Sequence, residues 1–204
     1  MADPVPGTIY FPEDLFNLTD EEVFIDCGAF DGDTLRSTLH ATGSRFARIV
    51  VFEPDPANYT RLRECVQGLP PEVSTRVQTY QQATGAGNQK VYFRATGTDG
   101  SAIGDGDLEV DCVALDSAIP DVTPTPIKMD IEGAELDALA GAKHIIARDA
   151  PVLAICAYHR QSDLWRIPLL IHSILPDYRL SLRPHLIEGW DSVRYAVPPG
   201  REIA

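Results

Sequence analysis

Hydrophobic and polar positions along this chain follow two rhythms. Short unbroken apolar runs, Val23-Phe24-Ile25, Ile49-Val50-Val51-Phe52 and Val152-Leu153-Ala154-Ile155, each end at a polar residue or cysteine. That is how strands buried on both faces read. Between them, residues 34–40, 56–66, 134–147 and 162–175 carry apolar positions three and four apart, which predicts helices. Pro56 suits the first turn of the second helix and Gly68 lies just past its end, whereas Pro168 interrupts the fourth. Further strands are predicted at 73–80 and 127–130, with 82–85 as a loop. Residues 90–94 read as an added strand paired with 109–113 across the Gly/Asp-rich stretch 97–107. Residues 178–182 and 193–197 read as a closing antiparallel pair. Alternating strands and helices predict a mostly parallel α/β sheet in one domain over 1–204, with a core at 23–198. Residues 3–20 are rich in proline and acid, with Ile9-Tyr10-Phe11 as an aromatic patch, and read as an arm over the domain. Thr19-Asp20-Glu21-Glu22 resembles a helix start but runs straight into the first strand.

Composition narrows the class of partner. The 204 residues, 44% of them hydrophobic, suffice for one well-cored domain. No stretch approaches the roughly 18 apolar residues of a membrane span. The first residues lack a basic region followed by an apolar one, so no secretory signal is expected. A formal net charge of −13 argues against nucleic acid, because phosphate contacts need clustered Lys and Arg. The expected partner is a small-molecule acceptor, and a homodimer is left open. The cysteines, Cys27, Cys65, Cys112 and Cys156, form no C-x-x-C pair. Cys27 and Cys156 lie in strand-like runs as small buried hydrophobes, and a reduced, cytoplasmic setting is expected.

The chemistry gathers at strand ends. Asp26-Cys27-Gly28-Ala29-Phe30-Asp31-Gly32-Asp33-Thr34 hands a strand over to a helix through a glycine turn, as around a nucleotide-like ligand. At 53 − 26 = 27 positions beyond Asp26, Glu53 ends the second apolar run and is placed to hold both hydroxyls of a ribose. A pyrophosphate wants G-x-G-x-x-G; here Gly28 and Gly32 have three residues between them, and Asp26, Asp31 and Asp33 would repel it. The pattern suits a ribose ligand carrying a sulfonium and an ammonium, S-adenosylmethionine. The plainer alternative is a tight turn with solvated acids. Asp26, Glu53, Asp130 and His159 are all predicted at strand carboxyl ends, on the edge where such sheets bind ligands.

These segments, with Phe52-Glu53-Pro54-Asp55-Pro56-Ala57-Asn58 and Lys128-Met129-Asp130-Ile131-Glu132-Gly133-Ala134-Glu135, resemble the FkbM family of S-adenosylmethionine-dependent methyltransferases. The likeness runs from about Val23 to Pro198. It implies a Rossmann-like class I methyltransferase fold: a mostly parallel seven-stranded sheet, helices on both faces and an antiparallel C-terminal strand. It also implies O-methylation of a hydroxyl, typically on a sugar or natural product. The stretch 97–107 and the arm match no motif of the family and are where acceptor choice is expected to reside.

In that reading the Gly28 and Gly32 backbone approaches the methionine part of the cofactor, and Asp26 orients the turn or meets the ammonium through water. Glu53 takes the ribose, Pro54 and Asp55 flank the adenine, and Gln82-Ala83 meets its edge. Ala29, Asp31, Thr34, Asn58 and Asp130 complete the expected cofactor contacts. His159 is the candidate general base, since an unperturbed imidazole titrates near pH 6.5, or else a structural histidine at a strand end. Asp130 competes for that role, although it or Glu132 could simply cap the following helix. No resident metal is expected, but Asp130, Glu132 and His159 could hold a divalent ion if the fold brings them together. Tyr158, Glu132, Trp165 and Trp190 are candidates to line the acceptor pocket. The alternatives are an N-methyltransferase, an NAD-dependent oxidoreductase, or a cofactor-binding partner subunit without catalysis.

Overall fold

In the computed structural model described here, two sheets carry the chain, and residues 9–104, 106–186, 189 and 191–203 are described. Trp190 and residues 1–8 lie outside them. In chain order the elements are β1 (Val23–Cys27), α1 (Asp33–Ala41), β2 (Arg48–Phe52), α2 (Pro56–Gln67), α3 (Pro71–Ser74), β3 (Val77–Tyr80), β4 (Ala83–Thr84), β5 (Gln89–Arg94) and β6 (Ala102–Ile103). There follow β7 (Leu108–Val113), α4 (Leu115–Ala118), β8 (Pro126–Met129), α5 (Glu135–Ala140), α6 (Lys143–Asp149), β9 (Val152–Cys156), α7 (Asp163–Ile174), β10 (Arg179–Arg183) and β11 (Val193–Val197). The main sheet has seven strands in the order β10-β11-β9-β8-β1-β2-β3. β11 runs antiparallel to both neighbours, β10 and β9, and β9, β8, β1, β2 and β3 pair with one another in parallel.

The apolar runs of β1, β8 and β9 are buried because helices cover both faces. Alternation divides them. Ile25, Cys27, Ile127 and Leu153 pack with Leu139, Ile146 and Ile167 on one side. Phe24, Ile49, Val51 and Val152 pack with Leu35 and Leu62 on the other. Phe11, Leu15 and Phe16 are buried in this second cluster, so part of the arm belongs to the core rather than lying over it. The C-terminal elements pin it: Arg183 pairs with Asp14 at 2.6 Å, Phe16 bridges Glu202, and the Tyr195 hydroxyl donates to the Ile9 carbonyl.

Several expected elements differ, and Pro168 does not interrupt the fourth helix: α7 runs through it from Asp163 to Ile174. The 134–147 helix is two, parted at Gly141, where a Cβ would stand 2.0 Å from the Gly85 carbonyl. The strand over 73–80 starts only at Val77, because Pro70 and Pro71 open the short α3 ahead of it. The 82–85 loop contains β4, which pairs with β7. Thr19 to Glu22 forms a turn closed by Glu22, which accepts from the Thr19 N–H at 2.8 Å. The added strand did pair as expected, β5 with β7, in a second four-stranded sheet. Among the described residues no helix is long and apolar enough to cross a membrane.

Candidate active site

The main sheet reverses its strand order between β1 and β8, and a cleft of about 450 Å³ opens there beyond the strand carboxyl ends. Its floor begins at the β1–α1 turn. Gly28 has φ +84°, and a Cβ on it would lie 1.9 Å from the Asp130 carbonyl. Only glycine lets the two strand-end loops touch. The Gly28 N–H reaches the Phe52 carbonyl at 3.0 Å, and its own carbonyl accepts from the Lys128 ammonium at 2.6 Å.

Glu53, 4% exposed, follows β2 and faces the cleft. One oxygen accepts from the Phe30 N–H at 2.8 Å and the other from the Asp55 N–H at 2.9 Å. Burial pushes its carboxyl up to about 7, against the pull of those two donors. Thr34, Pro54, Asn58, Gln82 and Ala83 also line the cleft.

Five predicted contacts are elsewhere. Asp26 is fully buried beneath the turn, 3.0 Å from the Lys128 ammonium; burial raises its carboxyl while Lys128 pulls it down. Ala29 is wholly buried in the core. Asp31 turns outward to pair with Arg36 at 2.7 Å. Asp55 caps α2 through the Ala57 and Asn58 N–H groups, while its second oxygen accepts from Gly97 N–H and Ser101 Oγ. Gly32 is likewise absent from the lining: its φ of +91° serves the start of α1, and Cys65 of α2 fills the space beside it. Conversely, Phe93, Thr98, Asp99 and Ser101 of the second sheet and the 97–107 stretch line the cleft, as do Ile9 and Tyr10. No motif marked these residues; only the glycine-rich composition and the aromatic patch set them apart.

Asp130 follows β8 and is about a quarter exposed to the cleft. Its Oδ2 accepts from the Tyr10 hydroxyl at 2.9 Å, and its Oδ1 from the Tyr158 hydroxyl at 3.4 Å. Burial would raise its carboxyl, but Lys128 and His159 hold it below the usual carboxylate value.

His159 does not line the cleft. Its side chain is 7% exposed, with Nδ1 2.8 Å from Glu135 and Nε2 3.2 Å from Glu132 and 3.4 Å from Asp130. The oxygens lie off the N–H directions, so no ring nitrogen completes a well-aligned hydrogen bond, but their charge acts regardless. Burial alone would lower the imidazole; the carboxylates outweigh it and hold it at about 10. Buried outside the cleft and held toward its charged form by these carboxylates, the ring is poorly placed for the expected role of general base. Glu135, wholly buried, is the partner that sequence reasoning missed, although it stands in the Glu132-Gly133-Ala134-Glu135 segment.

The metal expectation changes too. Asp130, Glu135 and His159 offer ligand atoms all within 4.8 Å of one another, and Glu132 is not in that group. Yet Glu135 and Asp130 stand at different ring nitrogens, which suits a ring with both protons better than one shared ion. Of the acceptor candidates, Tyr158 and Glu132 line the cleft, whereas Trp165 is 53% exposed on α7, away from it.

Comparison with known proteins places this geometry. The model of the methyltransferase FkbM domain matches residues 26–180. A structure described as methyltransferase FkbM from Methylobacillus flagellatus KT superposes with a TM-score of 0.83 at 33% identity, covering 95% of this chain and 48% of that one. The chain thus spans about half that relative's length. Precorrin-6y C5,15-methyltransferase from Geobacter metallireducens (TM-score 0.53, 12% identity, 90% and 83% covered) shares the fold, as does a methyltransferase from Geobacter sulfurreducens (0.50, 14%, 96% and 80%). No curated protein matches the sequence.

Proposed function

The chain belongs to the FkbM methyltransferase family, and from that premise we propose that it moves the methyl group of S-adenosylmethionine to a hydroxyl of a small molecule held in the cleft. The observation that carries the cofactor is Glu53: a buried carboxylate at the tip of β2, fixed by two backbone donors, with capacity left on both oxygens for a ribose diol. The bare Gly28 turn beside it admits the methionine part. When bound, the cofactor supplies a sulfonium methyl open to in-line displacement. The residues do the rest. Gly28, Glu53 and Asn58 bind, and the second sheet closes the cleft above them. Asp130 aligns the acceptor hydroxyl and takes its proton as the oxygen gains the methyl. With its carboxyl held low, Asp130 is a weak base, so alignment carries more of the rate than proton transfer.

The lining also bears on the acceptor. Asp33, Asp99, Asp130, Glu132 and Asp191 face the cleft, and Lys128, committed to Asp26 and Gly28, is the one cation among the described lining residues. Such a wall favours an uncharged sugar or polyol over a phosphorylated one.

Titration calorimetry with S-adenosylmethionine and NAD side by side tests the cofactor. Only the first should bind, with affinity rising as pH passes up through about 7 and Glu53 ionises. Glu53→Ala should weaken binding by roughly 1–3 kcal/mol through unpaired hydroxyls. Transfer of radiolabelled methyl to a panel of free sugars and polyols then tests the chemistry. Affinity unchanged by Glu53→Ala would remove the ribose assignment.

A further inference from the structure

We propose that Tyr10 is a positioning residue for methyl transfer, supplied by a segment that precedes the family-matched residues 26–180. The inference rests on the reading of Asp130 given above. Tyr10 lines the cleft and gives its hydroxyl proton to Asp130 Oδ2 at 2.9 Å, the shorter of the two tyrosine contacts on that carboxylate. The Lys128 ammonium lies 5.2 Å from its ring centroid. Burial, with Asp130 next in size, raises the phenol well above its ordinary value, so Tyr10 stays a donor throughout the working pH range.

Two consequences follow from that geometry. One carboxylate oxygen is engaged by a neutral donor at short range, which fixes the rotation of the Asp130 side chain. The other, Oδ1, has its partners at 3.4 Å and keeps the capacity to meet an acceptor hydroxyl. The ring itself walls the acceptor side of the cleft. It is held from behind, because Phe11 packs edge-on against Phe24 of β1 at 5.5 Å and Tyr195 holds the Ile9 carbonyl. A loosely attached segment could not orient a catalytic carboxylate; this one is anchored on both sides of Tyr10.

Tyr10→Phe keeps the ring and removes only the hydroxyl. In protein labelled with ¹³C-aspartate, the Asp130 carboxyl resonance, identified by its loss in Asp130→Asn, should shift at pH 7 in Tyr10→Phe and shift less in Tyr158→Phe. On acceptors that the unsubstituted protein methylates, turnover of Tyr10→Phe should fall about 10-fold or more, the scale set by a misplaced reacting group. The acid limb of its pH–rate profile should move up by about one pH unit, as a carboxylate loses a hydrogen bond to its charged form. Cofactor affinity should stay within about twofold, since Tyr10 touches none of the groups assigned to the ribose. An unmoved Asp130 resonance, or full turnover in Tyr10→Phe, would overturn the proposal. Failure of the unsubstituted protein to bind S-adenosylmethionine would instead remove the functional reading and leave the resonance measurement standing.

Discussion

The imidazole of His159 lies among Glu132, Glu135 and Asp130, with the more distant charges of Asp163 and Asp191 acting on it as well. Its folded-state pKa, about 10, stands above the ordinary 6.5. A raised histidine stabilises the fold fully below pH 6.5, and that contribution fades as pH climbs through about 10. Denaturant melts of native and His159→Gln protein between pH 6 and 10 should therefore differ in slope. The native protein should lose about 2–4 kcal/mol more across that range. Parallel slopes would mean that the ring is neutral. A strand-end histidine with acids one, three and six positions after another strand end, Met129, is visible in sequence as a candidate site, and so were Glu53, Gly28 and Asp130. Sequence does not reveal which nitrogen meets which carboxylate, and that contact converts a base into a cation.

Among the elements, β8 shows how an ionic group enters a strand buried at every position. The Lys128 side chain is 2% exposed and its ammonium spans β8 to β1, reaching Asp26 at 3.0 Å and the Gly28 carbonyl at 2.6 Å. The tie holds the cofactor turn against β8. Lys128→Met strands a buried carboxylate and should cost about 3–5 kcal/mol by chemical denaturation. Adding Asp26→Leu should recover most of that loss, because a buried pair exchanged whole for apolar residues is often neutral. A double variant no more stable than Lys128→Met would show that the two groups do not act as a pair. Element boundaries were legible where a proline or glycine marks them, as at Pro56. They were not where tertiary contact decides: the break at Gly141 answers to the distant Gly85 carbonyl, and the two-residue β4 exists only through β7.

For the whole molecule, the burial of Cys27 and Cys156 in central strands makes them reporters of global opening. Burial pushes the Cys27 thiol up to about 12 and raises Cys156 well above its usual value, so neither offers thiolate in the folded state. Among the four free cysteines only Cys65 is partly exposed. A thiol reagent should label Cys65 first, with the other three reacting together as denaturant unfolds the chain. Early labelling of Cys156 would show that the β9 end opens locally. The mostly parallel α/β class was readable from the alternation of strand and helix runs because local sequence encodes it. The seating of the arm was not, since its partners lie 169 to 186 positions away, at Arg183 and Tyr195.

That separation has a bearing on synthesis. Residues 9–20 leave the ribosome well before the side chains that seat them, Arg183, Tyr195 and the bridge to Glu202. Until they do, Ile9, Phe11 and Phe16 have no complete surface to dock on, and Tyr10 has no fixed place over Asp130. The nascent chain can assemble β1, β2 and Glu53 early, while the Tyr10 side of the cleft waits for β11. The wall of the cleft that Tyr10 forms is therefore among the last parts of the fold to be set.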